Sequence, residues 1–303
     1  MRAEAAVHRF ACTQCGKCCN RPPEVELSEA GALSDVFVFR LMCRLYWLPQ
    51  QLSDYRRGGE RQPDSSPVFF EKKRLLNAFA ARKYSAKAMR DGKRVDYTRY
   101  LVISALALDT IEAACSALSD NKCGIYDRRP LTCRSVPLHY SRPEALAASD
   151  LEAFLGTSGY RCDASDAAQI ILKDGRIVAP EINDARAAAI ALAARDRPWS
   201  EAIVRRMSSP VSSRHSLPSI DEIEASADLG AMTVPMRRAW QIAADIELIT
   251  SGECDRLVEL QLRTIRQELA RRSCSRDAIE TLTQMEAEYS HHLNGSPAIA
   301  MEY

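Results

Sequence analysis

The 303-residue chain is long enough for one large domain or two ordinary ones, and 46% hydrophobic with 27% charged residues is the balance of a globular protein with a sizeable core. Lys and Arg number 41 against 40 Asp and Glu, a formal net charge of +1, so no global basic field exists to hold a polyanion and nucleic acid is not an expected partner. Residues 36–39 and 187–194 are the longest apolar runs, far below the roughly 20 residues of a membrane span, and Met1–Arg9 lacks the apolar stretch of a secretory signal; no membrane association and a cytoplasmic location are expected.

The first element in chain order is Cys12-Thr-Gln-Cys15-Gly-Lys-Cys18-Cys19. Two-residue spacing lets a tight turn aim successive thiolates at one point, and Gly16 removes side-chain crowding inside that turn. The same spacing supplies ligands to iron–sulfur clusters in ferredoxins, although the ferredoxin ending is absent here. Adjacent residues diverge in either a strand or a helix, whereas sulfurs on one tetrahedral zinc sit about 3.8 Å apart. Cys18 and Cys19 are therefore not expected on one mononuclear ion: they serve two metals, or one of them stays available as a nucleophile beside Lys17 and Arg21.

Pro22-Pro23 then breaks the backbone, and Val25-x-Leu27 alternates as a short strand. Ser28 can cap a helix starting near Glu29, whose apolar positions Leu33, Val36, Phe37, Leu41, Leu45 and Leu48 carry a helical period up to Pro49. Cys43 inside it reads as a core thiol. Arg56–Pro67 has the composition of a loop. A basic helix is expected over Glu71–Arg90, ending at Asp91-Gly92, with Lys72, Lys73, Arg74, Arg82, Lys83 and Lys87 forming a solvated face. Tyr97–Asp109 is a further apolar run leading to the second cysteine group.

That group is Cys115, Cys123 and Cys133, with Cys162 further on. Nine of the 11 cysteines fall in the first 162 residues. The long chain, the odd count and the absence of a secretory signal argue against a disulfide framework. Four early and four later thiols are enough for two four-coordinate sites. Two zinc ions with eight thiolates are strongly anionic, and Arg9, Lys17, Arg21, Lys122, Arg128, Arg129, Arg134 and Arg161 stand near the ligands in sequence, where they can donate to sulfur and lower thiol pKa values. His139 either orients a proton, takes a ligand place, or is a hydrogen-bonded structural residue.

Gln169–Val178 reads as a β-hairpin turning at Asp174-Gly175. From Glu181 the chain becomes Ala- and Arg-rich helix, with a break or linker at Pro198 and over 208–218. Three helices follow, over Pro235–Ser251, Cys254–Arg272 and Ser275–Asn294, with apolar stripes that suggest an antiparallel bundle. His291-His292 is expected to be a solvated terminal pair. No Gly-rich nucleotide loop follows a strand; Gly156-Thr-Ser-Gly159 is the nearest approach.

Phe10-x-Cys12-x2-Cys15-Gly16-x-Cys18-Cys19, with Cys115-x-x-Leu118 and Cys123-x-Ile125-Tyr126-x-x-Arg129-Pro130-x-x-Cys133-Arg134-x-x-Pro137, resembles the YkgJ-type CxxCxxCC cysteine-cluster proteins. The resemblance covers residues 10–30 and 100–165, under half the chain. It implies a zinc- or iron-chelating domain, an iron–sulfur cluster being one form of the iron. The ligands it implies are Cys12, Cys15, Cys18, Cys19, Cys115, Cys123, Cys133 and Cys162, with Tyr126, Arg128, Arg129 and Arg134 around them. Where many relatives have Cys-Arg-x-Phe-Pro, this chain has Val136 before Pro137. Relatives that methylate flagellin lysines suggest an alternative, a cluster-assisted protein-lysine methyltransferase, and a structural zinc module of an interaction protein is another. The expected fold is mainly α with a small β-hairpin. An irregular metal-stapled cysteine-cluster domain over 1–180, with a helical insertion at about 29–110, precedes an antiparallel helical bundle over 181–303 that is available to a protein partner.

Overall fold

The computed structural model describes residues 6–56, 65–112, 114–208, 217–226, 230–271 and 273–294. The central parts of the expected loop at Arg56–Pro67 and of the expected linker at 208–218 lie outside these residues.

In chain order the elements are β1 (Val7–Arg9), β2 (Glu24–Val25), α1 (Leu27–Ala32), β3 (Phe39–Pro49), α2 (Leu52–Arg56), α3 (Ser65–Phe79), β4 (Ala80–Arg90), β5 (Lys93–Ala107), β6 (Leu118–Ser119), β7 (Lys122–Cys123), α4 (Leu131–Arg134), α5 (Ala147–Leu155), β8 (Ile170–Lys173), β9 (Arg176–Ile177), α6 (Pro180–Met207), α7 (Ile220–Ala225), β10 (Ala231–Pro235), α8 (Arg237–Asp245), α9 (Ser251–Leu269) and α10 (Arg276–Leu293). Among the described residues helix accounts for 46% and strand for 23%, with an antiparallel sheet of five strands, so the expectation of a mainly α protein with one small hairpin is wrong. Strand β3 lies between β10 and β5, and β5 also pairs with β2 and β4.

Two of the expected helices begin as helix, in α1 and α3, but pass into the strands β3 and β4, each for a physical reason. Residues 37, 39, 41, 43 and 45 are buried at a period of two, but Val38, Met42 and Leu48 are buried as well. A strand covered on both faces loses its alternation and imitates a helical stripe. Residues 80–90, rich in Ala, Lys and Arg, favour helix by local propensity. Asp91 (φ +49°) and Gly92 (φ +72°) both adopt the left-handed conformation, the geometry of a two-residue hairpin turn, and this turns the chain into β5 instead of ending a helix. Helix α6 also runs on through Pro198 without the expected break.

The chain forms two compact units, the first made of 1–18, 46–101 and 119–194, the second of 19–45, 102–118 and 195–303. In the first, the sheet β1-β8-β9 is closed by the Asp174-Gly175 turn, both residues left-handed. Its residues Ile171, Leu172 and Ile177 are buried in one core with Phe10, Leu138, Leu151 and Ile182, and Cys162 lies at the margin of the same core. In the second unit, β10 pairs with residues 40–44 of β3 and β2 with residues 105–106 of β5. The capping box of Thr250 and Glu253 starts α9, and Ser275 caps α10. Trp240, Val258, Ile265, Leu282 and Tyr289 are fully buried in this unit.

Candidate metal centre

The first unit assembles its thiols by strand pairing and then by a turn. Ala11 and Asp163 form an isolated antiparallel bridge, exchanging both backbone hydrogen bonds at 2.7 and 3.0 Å. On one side Phe10 N–H donates to Gln169 O at 2.9 Å; on the other, the Thr13 hydroxyl donates to Arg161 O at 2.8 Å. The register places Cys12 opposite Cys162. A pair that follows a doubly bonded one is the closer type, with Cα atoms about 4.5 Å apart and side chains on one face. Residues 150 apart in sequence thus present their sulfurs to each other.

Beyond Cys12 the chain reverses through Gln14 (φ +54°) and Gly16 (φ +71°). The Gln14 N–H points at Cys12 Sγ from 3.4 Å, and the Lys17 N–H donates to Cys15 in the same relative position. Gly16 is required here twice over. Its φ favours glycine, and a Cβ would lie 2.4 Å from the carbonyl oxygen of Asn121. Asn121 belongs to the turn Asp120-Asn121, both left-handed, which leads into β7 and Cys123. The glycine therefore seats the thiol loop on the turn that precedes a further cysteine.

Electrostatics shows the convergence. Burial pushes the Cys162 thiol up to about 11, with further upward contributions from Cys18, Cys15 and Cys12. Burial also raises Cys12; the Gln14 N–H opposes this, Cys18 and Cys15 add to it, and the Arg129 guanidinium counters them. Cys15 is lowered, first by the Lys17 N–H and then by the Arg161 backbone and the Thr13 hydroxyl. A cation would relieve such crowding, since a thiol gives up its proton on binding and the metal offsets the repulsion between thiolates. Arg129 is positioned for a supporting role: it lies 3.8 Å over the Tyr126 ring, donates through Nε to Tyr126 O at 3.0 Å and through Nη2 to Glu181 at 2.9 Å.

The eight expected ligands are divided. Cys12, Cys15, Cys18 and Cys162 lie in the first unit, near enough for their charges to interact. Cys123 on β7 and Cys133 in α4 belong to the same unit. Cys19 and Cys115 belong to the second, where the Cys115 N–H donates to Cys19 O at 2.8 Å. Arg128 closes a short 3-10 turn and Arg134 is the last residue of α4. His139 is held between Thr132, 3.2 Å from Nε2, and Ser141, whose N–H donates to Nδ1 at 3.2 Å. None of the 11 cysteines is in a disulfide. Sequence reasoning missed Thr13, Gln14 and Asn121, which act through backbone geometry or one hydroxyl and leave no spacing signature.

Among the described residues, one group of His, Cys, Asp or Glu has all its donor atoms within 4.8 Å of one another, Cys254, Asp255 and His292 in the second unit. The clustered thiols stand wider than this. No helix among the described residues is long and apolar enough to cross a membrane. Comparison of the chain with protein-family models, with curated proteins and with solved structures finds no match.

Proposed function

We propose that this chain is a metal-binding protein of the cysteine-cluster type, in which Cys12, Cys15, Cys18 and Cys162 hold zinc or iron, the iron either as an ion or as an iron–sulfur cluster. The observation that carries the reading is the Ala11–Asp163 bridge, which sets Cys12 of the C-x2-C-x2-C loop opposite a fourth cysteine 150 residues away. Reduced thiols of this kind suit a reducing compartment. The resemblance to YkgJ-type proteins agrees with it. Four sulfurs around one zinc are about 3.8 Å apart. The wider spacing here is taken up either by closure of the 12–18 side chains on one ion or by a larger multi-iron centre.

Elemental analysis and an absorption spectrum of protein purified without air test the reading. The wild type is expected to carry stoichiometric zinc, colourless, or iron with a broad band and acid-labile sulfide. Cys162→Ser is expected to lose metal although the C-x2-C-x2-C loop is intact. Metal-free wild-type protein that does not take up either metal under reducing conditions, or full loading in Cys162→Ser, overturns the assignment.

A further inference from the structure

We propose that Cys254, Asp255 and His292 form a separate site for a zinc-type divalent cation in the second unit, independent of the thiol cluster. Cys254 and Asp255 lie in the second turn of α9 and His292 in the last turn of α10, and one donor atom from each lies within 4.8 Å of the other two. His292 Nε2 is 3.2 Å from Asp255 Oδ1. With Zn–N and Zn–O near 2.0–2.1 Å, two ligand atoms on a tetrahedral zinc are about 3.3 Å apart, and a sulfur and a nitrogen about 3.6 Å. The imidazole and carboxylate already have the separation of ligands sharing an ion, and the sulfur needs a shift of about an ångström at most. Nitrogen, oxygen and sulfur together select zinc over calcium or magnesium, which prefer oxygen alone. The buried thiol closes the inner side of the group, while the exposed Asp255 leaves the outer side to solvent, the arrangement of three protein ligands with a fourth position for water.

The surroundings supply the other half of such a site. Gln241 on α8 stands 3.2 Å from His292 Nδ1, the nitrogen that a ligating histidine uses to donate to a supporting acceptor. Arg237 Nη1 donates to Gln241 Oε1 at 2.7 Å, so the Gln241 amide nitrogen faces Nδ1 and the ring proton on Nε2 points at Asp255. The cation takes the Nε2 position, the ring proton moves to Nδ1, the thiol proton leaves to solvent, and the Gln241 amide turns over to accept from Nδ1–H, giving up its bond from Arg237, which keeps Glu288. The charge of Arg237 is compensated by Glu288, so it does not compete with the ion.

The test is an anaerobic titration of the reduced full chain with Zn2+, bound metal being counted for wild type, Cys254→Ser, His292→Gln, Asp255→Asn and Gln241→Glu. Wild type is expected to bind one equivalent more than Cys254→Ser or His292→Gln. Asp255→Asn, at an exposed position that does not challenge folding, is expected to weaken that equivalent by at least tenfold. Gln241→Glu places a carboxylate between Arg237 and Nδ1–H and is expected to tighten it by about tenfold. Cys15→Ser is expected to reduce metal at the thiol cluster and leave this equivalent in place, so the two sites stand or fall separately. Retention of the equivalent in Cys254→Ser, or an unchanged affinity in Asp255→Asn, overturns the proposal.

Discussion

Gly16 packs so closely on Asn121 that a methyl group in place of its hydrogen would stand 2.4 Å from the Asn121 carbonyl oxygen. Gly92 shares nearly the same dihedral, φ +72° against +71°, but has nothing within 4 Å of its Cβ position. The two glycines separate backbone strain from packing. Gly92→Ala is expected to cost only the left-handed penalty, about 1–2 kcal/mol. Gly16→Ala adds a collision with backbone that is itself held in a tight turn, and is expected to cost about 2–4 kcal/mol and to weaken metal retention. Urea unfolding with metal counted in the native fraction checks both, and equal losses for the two variants contradict the packing argument.

Gln261 is fully buried and ties three backbone groups at the start of β3. Its Oε1 accepts from the Phe39 N–H at 2.8 Å, and its Nε2 donates to Ser34 O at 2.9 Å and Phe37 O at 2.6 Å. Thr264 also donates to Ser34 O at 2.7 Å, so that carbonyl keeps a partner when Gln261 is lost. Gln261→Leu strands the other two groups and is expected to destabilise by about 3–5 kcal/mol. Thermal unfolding reads the loss, and a change under about 1 kcal/mol contradicts it.

Which parts of this fold the sequence announced depends on whether local pattern and tertiary setting agree. The 169–178 hairpin was legible because Asp174-Gly175 is flanked by short alternating strands, and α9 and α10 were legible from their apolar stripes. Asp91-Gly92 carried the same turn signal, but the Ala- and Lys-rich segment before it argued for helix, and sheet pairing prevailed over propensity. In β3 the apolar residues on both faces erased the alternation. For the candidate centre, spacing in the 12–19 loop identified the thiols. The choice of Cys162 as the partner of Cys12 rests on a bridge between distant residues, which no local pattern reveals. The sulfur and acid partners of His292 were hidden for the same reason, since α9 and α10 meet only in the folded chain.

Glu26 makes stability depend on pH. Its carboxyl is buried and raised to about 8, by burial first and then by Asp196, Glu29 and Glu24. A folded-state pKa above the unfolded value means that the folded state holds the proton more tightly. Stability is then greatest below the unfolded carboxyl range near 4.5 and falls as pH rises toward 8, because the folded state binds more protons across that window. Glu26→Gln keeps the shape and removes the titration. It is expected to match wild type at pH 4.5 and to be more stable by roughly 3–5 kcal/mol at pH 8 or above. Chemical unfolding at the two pH values measures this, and a constant difference between wild type and variant shows that Glu26 does not titrate in this range.

Metal removal is expected to act on the first unit and to spare α9 and α10. A cation joining Cys12 to Cys162 closes a loop of 150 residues, and a crosslink of that size removes about 4–5 kcal/mol of unfolded-chain entropy before strain is subtracted. The strands it ties are short: β1 has three residues and the Ala11–Asp163 bridge one pair, too little to hold their register without help from the Phe10 core. Hydrogen exchange on protein with and without chelator distinguishes the regions. The Phe10, Ala11 and Asp163 amides, bonded to Gln169, Asp163 and Ala11, are expected to lose protection by two or more orders of magnitude. Amides in the middle of α9, capped at Thr250 and packed through the buried Val258 and Ile265, are expected to keep theirs. Equal loss throughout means that the two units unfold as one, and no loss at Ala11 and Asp163 means that the thiols are not bridged by metal.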